Sequence, residues 1–132
     1  MSLLNFFKRS KKIDKDSTAI PATVDKSNWT GKDFEFLIIG DIDIPADTYD
    51  SIMTPNSFEW IKIEKNNWTY YQVGQDEFSY SWEAPGIQMT FNESIPFQKA
   101  KKIAEEVIEN IKATGQIPEL VTLDKTKVYR FD

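Results

Sequence analysis

The sequence predicts an α+β domain: an antiparallel β-meander of five to six strands with one long amphipathic helix, about residues 95–113, packed on one face. Three observations carry that prediction. Half of the chain's nine Phe, five Tyr and four Trp fall in residues 58–91, where they alternate with polar and acidic residues at period two. Apolar residues recur at three- and four-residue steps from Phe97 to Ile111. The 132 residues suffice for one hydrophobic core, and there is no cysteine with which to staple a smaller one.

Taken in order, residues 1–28 read as a basic N-terminal segment and linker, and residues 29–132 as the single domain. The opening Leu3-Leu4-Asn5-Phe6-Phe7 is a short apolar knot followed by Lys8, Arg9, Lys11 and Lys12. It is too short and interrupted for a secretory leader, and Ser2 stands where N-myristoylation needs glycine. Either it rests on a lipid surface or it docks on the domain. The first strand is expected at Asp33–Ile39, which starts alternating and ends as a continuous apolar run. Pro45 limits pairing in the stretch that follows, so residues 40–50 read as an edge or loop and residues 51–57 as a turn.

Four strands then form the meander: Phe58–Glu64, Trp68–Val73, Glu77–Glu83 and Gly86–Phe91. Asn66-Asn67, Gly74-Gln75-Asp76 and Pro85-Gly86 supply the turns between them. In the first of these strands, alternation puts Ile61 and Ile63 on one face and Trp60 and Lys62 on the other. The helix has Ser94 as its expected N-cap, Pro96 in its first turn and Gly115 at its end. Lys99, Lys101 and Lys102 precede Glu105, Glu106 and Glu109, an order that opposes the helix dipole but allows Lys101–Glu105 and Lys102–Glu106 pairs. After Pro118, Glu119–Leu123 and Lys127–Phe131 are the remaining strand candidates.

Composition narrows the chemistry. With no His and no Cys, His-based triads, Cys–His dyads and thiolate or imidazole zinc sites are excluded, and no cofactor is expected. Residues 1–26 carry six bases and three acids, whereas residues 27–132 carry ten bases and eighteen acids. A body so acidic repels phosphate backbones, which argues against a nucleic-acid reader and for a basic partner.

The densest acid cluster is Asp41, Asp43, Asp47 and Asp50, within a stretch, residues 33–50, of six acids and no base. It fails as an EF-hand loop, because Pro45 and Ala46 stand where the acid and glycine belong. It is either a solvated loop or an anionic surface for a cationic partner. The three N-x-S/T sequons, at Asn28, Asn67 and Asn92, are expected to be chance matches. If Ile61, Ile63, Tyr71, Val73, Phe78, Tyr80, Trp82, Ile87, Met89 and Phe91 face the helix, then Trp60, Trp68 and Tyr70 are left on the open face. There they would stand with Lys62, Glu77 and Glu83. Trp and Tyr set among charges describe a protein-contact surface, unless Leu3, Leu4, Phe6 and Phe7 cover that face.

The opening Leu3-Leu4-Asn5-Phe6-Phe7-Lys8-Arg9, the acidic body free of His and Cys and the single-domain size suggest a family. In these features the chain resembles the small cytoplasmic immunity proteins of bacterial polymorphic-toxin systems. The resemblance spans about a dozen residues plus general character and carries over no functional residue. It implies a non-catalytic cytoplasmic protein that binds and neutralises one toxin domain. On that expectation Asp41, Asp43, Asp47, Asp50, Glu77 and Glu83 face a basic toxin, such as a nuclease, and Trp60, Trp68 and Tyr70 anchor it. Two other classes stand beside it: a peripheral membrane or secretion-associated accessory protein using residues 1–12, and a small carboxylate-dependent enzyme or ligand-binding domain.

Overall fold

The computed structural model describes residues 26–83 and 86–125. Among them, six strands make one antiparallel sheet: β1 (Phe34–Ile39), β2 (Ile61–Lys65), β3 (Trp68–Val73), β4 (Asp76–Glu83), β5 (Gly86–Phe91) and β6 (Glu119–Asp124). Two helices accompany it, a single turn α1 (Tyr49–Ile52) and the long α2 (Phe97–Lys112). The predicted α+β class, the meander and the helix on one face are all present. The basic segment and linker before residue 26, the residues 84–85 of the expected Pro85-Gly86 turn, and the strand expected at Lys127–Phe131 lie outside the described residues.

Spatial order is β2-β3-β4-β5-β1-β6. The meander β2–β5 is held by tight turns. Asn66 and Asn67 both take left-handed conformations, with φ of 56° and 62°, the geometry that matches the twist of a two-residue hairpin. β1 then enters between β5 and β6, pairing Phe36 with Met89 on one side and with Thr122 on the other. This central place explains the continuous apolar run. Phe34, Phe36 and Ile38 are buried towards α2, while Leu37, on the opposite face, is also buried at 5% exposure.

The stripe predicted for the helix is the stripe that is buried: Phe97, Ala100, Ile103, Ala104, Val107, Ile108 and Ile111. Phe97 meets Phe34 edge-on at 4.9 Å, and Phe34, Phe36, Phe78 and Phe91 continue the ring cluster across the sheet. The N-terminus differs from expectation. Pro96, in extended conformation, is the N-cap, and Ser94 instead accepts a hydrogen bond from Asn92 Nδ2 at 3.0 Å. A bridge between Thr30 and Pro96 makes a side-chain cap redundant, since the Phe97 N–H donates to the Trp29 carbonyl at 3.1 Å. The bridge needs Gly31, where a Cβ would stand 1.8 Å from the Asn92 carbonyl oxygen.

Lys99 is no free surface lysine: its ammonium donates to Asp76 at 2.7 Å and to the Val73 carbonyl at 3.2 Å, tying α2 to the β3–β4 turn. Lys101 and Lys102 make the expected pairs with Glu105 and Glu106, at 3.8 and 3.7 Å.

Two strand assignments are corrected. β2 begins at Ile61 rather than Phe58, and its faces are the reverse of those expected. Lys62 lies opposite Tyr71 on the helix side, whereas Ile61 and Ile63 lie opposite Gln72 and Tyr70 on the outer face. Ile61 is 59% exposed. β2 is an edge strand, so no core selects its face, and the Asn66-Asn67 turn sets the register by pairing Lys65 with Trp68. Trp82, expected under the helix, is exposed, and its neighbour there is Tyr49: the indole N–H donates to the Tyr49 hydroxyl at 3.0 Å.

The loop from Gly40 to Trp60 crosses the helix side of the sheet. It passes through a 3-10 turn (Ala46–Thr48) and α1, and it buries Ile44 and Met53 in the core. α2 holds its return. Asn110 donates to the carbonyls of Ile52 and Thr54 at 3.1 and 2.9 Å, and Glu106 accepts from the amide and hydroxyl of Ser57. Among the described residues no helix is long and apolar enough to cross a membrane.

Candidate functional site

Where this loop passes the β2–β3 hairpin it leaves a cleft of about 540 Å³. One wall is Ile44, Ala46 and Tyr49; the other is Lys62, Asn67, Trp68 and Thr69; Asp50, Tyr71 and Tyr80 close the floor. Pro45 starts the 3-10 turn, which swings Tyr49 and Asp50 towards the sheet. Thr54, buried, ties α1 down through a bond from its hydroxyl to the Asp50 carbonyl at 2.6 Å.

The polar centre of the cleft is one carboxylate. Asp50 Oδ1 accepts from the Tyr71 hydroxyl at 2.6 Å, and Oδ2 accepts from Lys62 Nζ at 3.2 Å. The Tyr71 hydroxyl is the main cause holding the Asp50 carboxyl below its usual range; partial burial opposes it and Lys62 adds to it. Burial pushes Tyr71 up, and the Asp50 charge pushes it further. Tyr49 is raised by burial and by Asp50, with the Trp82 bond opposing. Tyr80, fully buried, is raised by burial and donates to the Met53 carbonyl at 2.9 Å. At neutral pH the cleft therefore presents protonated phenols around an ionised carboxylate. That arrangement suits holding a hydrogen-bond donor or cation against aromatic rings.

The residues singled out from sequence divide between two sides of the sheet. Asp41, Asp43 and Asp47 are exposed on the loop beside the cleft, with Asp43 fixed by two backbone bonds to Gln116, at 2.7 and 3.0 Å. Asp50 is in the cleft; Trp68, 46% exposed and opposite Lys65 on the outer-face side of β3, reaches only its edge. Tyr70 and Glu77 lie on the outer face, where Lys65 stands over the Tyr70 ring at 4.7 Å and pairs with Glu77 at 3.0 Å. Trp60 is not on that face. It lies before β2, half-buried, with its ring edge-on to Tyr71 at 5.8 Å. Of Glu83 only its backbone place, opposite Gly86, is within the described residues. The single acidic and aromatic face expected from sequence is thus two surfaces, and the cleft takes Asp50 and Trp68 from the predicted set.

Tyr49, Lys62, Tyr71 and Tyr80 complete the cleft without having been singled out. Tyr71 and Tyr80 read as core, and they are buried. The available signal was their hydroxyl: a phenol on a buried face requires a polar partner there, which phenylalanine would not. No known protein family, characterised protein or solved structure matches the chain.

Proposed function

We propose that the protein is a non-catalytic binding protein of the immunity type, which neutralises a toxin by receiving a basic domain on its acidic loop. The observation that carries this reading is the state of Asp41, Asp43 and Asp47. All three are exposed, and among the described residues no cation lies within ion-pair distance of their carboxylates. Charges with no cation partner among the described residues, held on a loop pinned by Gln116, Asn110 and Glu106, suit electrostatic capture of a basic surface. The adjacent cleft holds half-buried Tyr49, and exposed Trp68 stands at its edge, ring surface of the kind that anchors protein interfaces. Against acid–base catalysis, the one carboxylate among the described lining residues, Asp50, has a pKa that is lowered rather than raised.

The test is affinity capture with the full chain from its native host, run beside an Asp43→Lys/Asp47→Lys variant. A basic protein should be recovered in stoichiometric complex, and expressed alone it should arrest growth unless this chain is co-expressed. The variant should associate on the order of tenfold more slowly at low salt. Recovery of no stable partner, or equal capture and equal rescue by the charge-reversed variant, overturns the reading.

A further inference from the structure

We infer that the cleft between α1 and the β2–β3 hairpin is a receptor for one arginine side chain of the partner, with Asp50 as its counter-charge. The inference rests on the binding reading above and names the chemistry that the partner must bring. The first ground is the acceptor capacity left on Asp50. A carboxylate offers about four lone-pair sites, and here Tyr71 takes one on Oδ1 and Lys62 one on Oδ2. Both oxygens keep a free lone pair. A planar guanidinium can use two acceptors at once, which an ammonium cannot do with the same geometry.

The second ground is the wall material. Tyr49, Tyr71 and Tyr80 supply rings beside the carboxylate, and rings attract the face of a guanidinium while Ile44 and Ala46 receive its methylene stem. The third is the resident cation. Lys62 is attached to Asp50 by an ion pair whose two side chains are 43% and 40% exposed, and such pairs contribute little. A half-exposed lysine on the one carboxylate among the lining residues is a displaceable stand-in for a better-fitting cation; the nearby Glu64 is engaged by the Thr69 hydroxyl at 2.8 Å. Tyr71, by contrast, is fixed in the core and keeps the carboxylate aimed into the cleft. Asp47, on the 3-10 turn beside Ala46, adds negative charge near the mouth.

The experiment uses the full chain and three probes: an acetylated, amidated Gly-Arg-Gly peptide, its Gly-Lys-Gly counterpart and its Gly-norleucine-Gly counterpart, followed by amide and indole NMR shifts. The arginine peptide should shift Asp50, Thr69, Tyr71 and the Trp68 indole, and bind at least fivefold more tightly than the lysine peptide. Lys62→Met should tighten arginine binding several-fold by removing the competitor, and Asp50→Asn should abolish the arginine preference. Equal binding of the three peptides, shifts confined to other surfaces, or no gain in Lys62→Met overturns the proposal; the last arm does not depend on how Asp50→Asn folds. The two readings fail separately. If the captured partner is lost in the loop variant but unaffected by Asp50→Asn, the cleft is wrong and the binding function stands. If the arginine preference holds and no basic partner exists, the reverse is true.

Discussion

Replacing Tyr71 by Phe removes one oxygen from the cleft and leaves the buried ring in place, which makes it a clean probe of the Asp50 site. The lost bond runs from a phenol to an ionised carboxylate over 2.6 Å. Bonds to charged groups are worth about 1.5–3 kcal/mol when lost. The Asp50 side chain is 40% exposed, so water reaches the vacated acceptor and the cost falls to the bottom of that range or just below it, about 1–1.5 kcal/mol. The pH dependence follows from two shifts of opposite kind. Asp50 has a lowered pKa, so its share of the stability is present above the unfolded value of 3.8 and disappears as pH falls through the folded value. Tyr71 has a raised pKa, so its share is complete below the unfolded value of 10.0 and is lost as pH rises towards the folded value. The stability gap between wild type and Tyr71→Phe should therefore be widest on a plateau from about pH 5 to 9 and narrow on both flanks. Urea denaturation at pH 3.5, 7 and 10.5, with m unchanged, measures it. A carboxyl NMR titration should also find the Asp50 pKa higher in the variant. A gap below about 0.5 kcal/mol at pH 7, or one that does not vary with pH, would refute the reasoning.

Three further outcomes are expected. Ile103→Ala opens a cavity under α2, where Ile103 is fully buried, and should cost about 2–5 kcal/mol in urea denaturation, whereas Ile61→Ser on the exposed edge strand should stay within about 0.5 kcal/mol. Asn110→Ala removes both bonds to the carbonyls of Ile52 and Thr54 and should cost about 1–3 kcal/mol, with faster amide exchange confined first to residues 49–57. Gly31→Ala drives a methyl into the Asn92 carbonyl and should destabilise by at least about 3 kcal/mol; a urea midpoint close to wild type would show that the Thr30–Pro96 bridge can open without consequence.

Legibility in the sequence followed how local the determinant was. The stripe from Phe97 to Ile111 was readable because a helix records its buried face in its own spacing. β1 was readable as a strand ending in a continuous apolar run, Phe36, Leu37 and Ile38, which its central place in the sheet then explained, since a strand covered on both faces loses its alternation. Asn66-Asn67 marked its hairpin because few residues accept two left-handed conformations in a row. The helix start was misread for the opposite reason. Ser94 has the right chemistry for a cap, but the partner of the first helical amide is Trp29, more than sixty residues earlier in the chain.

The faces of β2 and the position of Trp60 show where sequence stopped. Alternation states that two faces differ, and it carries no information on which one a distant element covers. For β3, β4 and β5 the face assumed to meet the helix is the buried one, with Trp82 the exception; at the sheet edge Ile61 and Ile63 mimicked a core face that α2 does not reach. The cleft is likewise tertiary. Asp50, Lys62, Trp68 and Tyr71 come together only because the loop from Gly40 to Trp60 folds back across the hairpin, under the grip of Asn110 and Glu106. Periodicity and turn chemistry, acting over a few residues, determined the elements. Which carboxylate would meet which phenol was decided by contacts between segments far apart in the chain, and no local pattern encodes those.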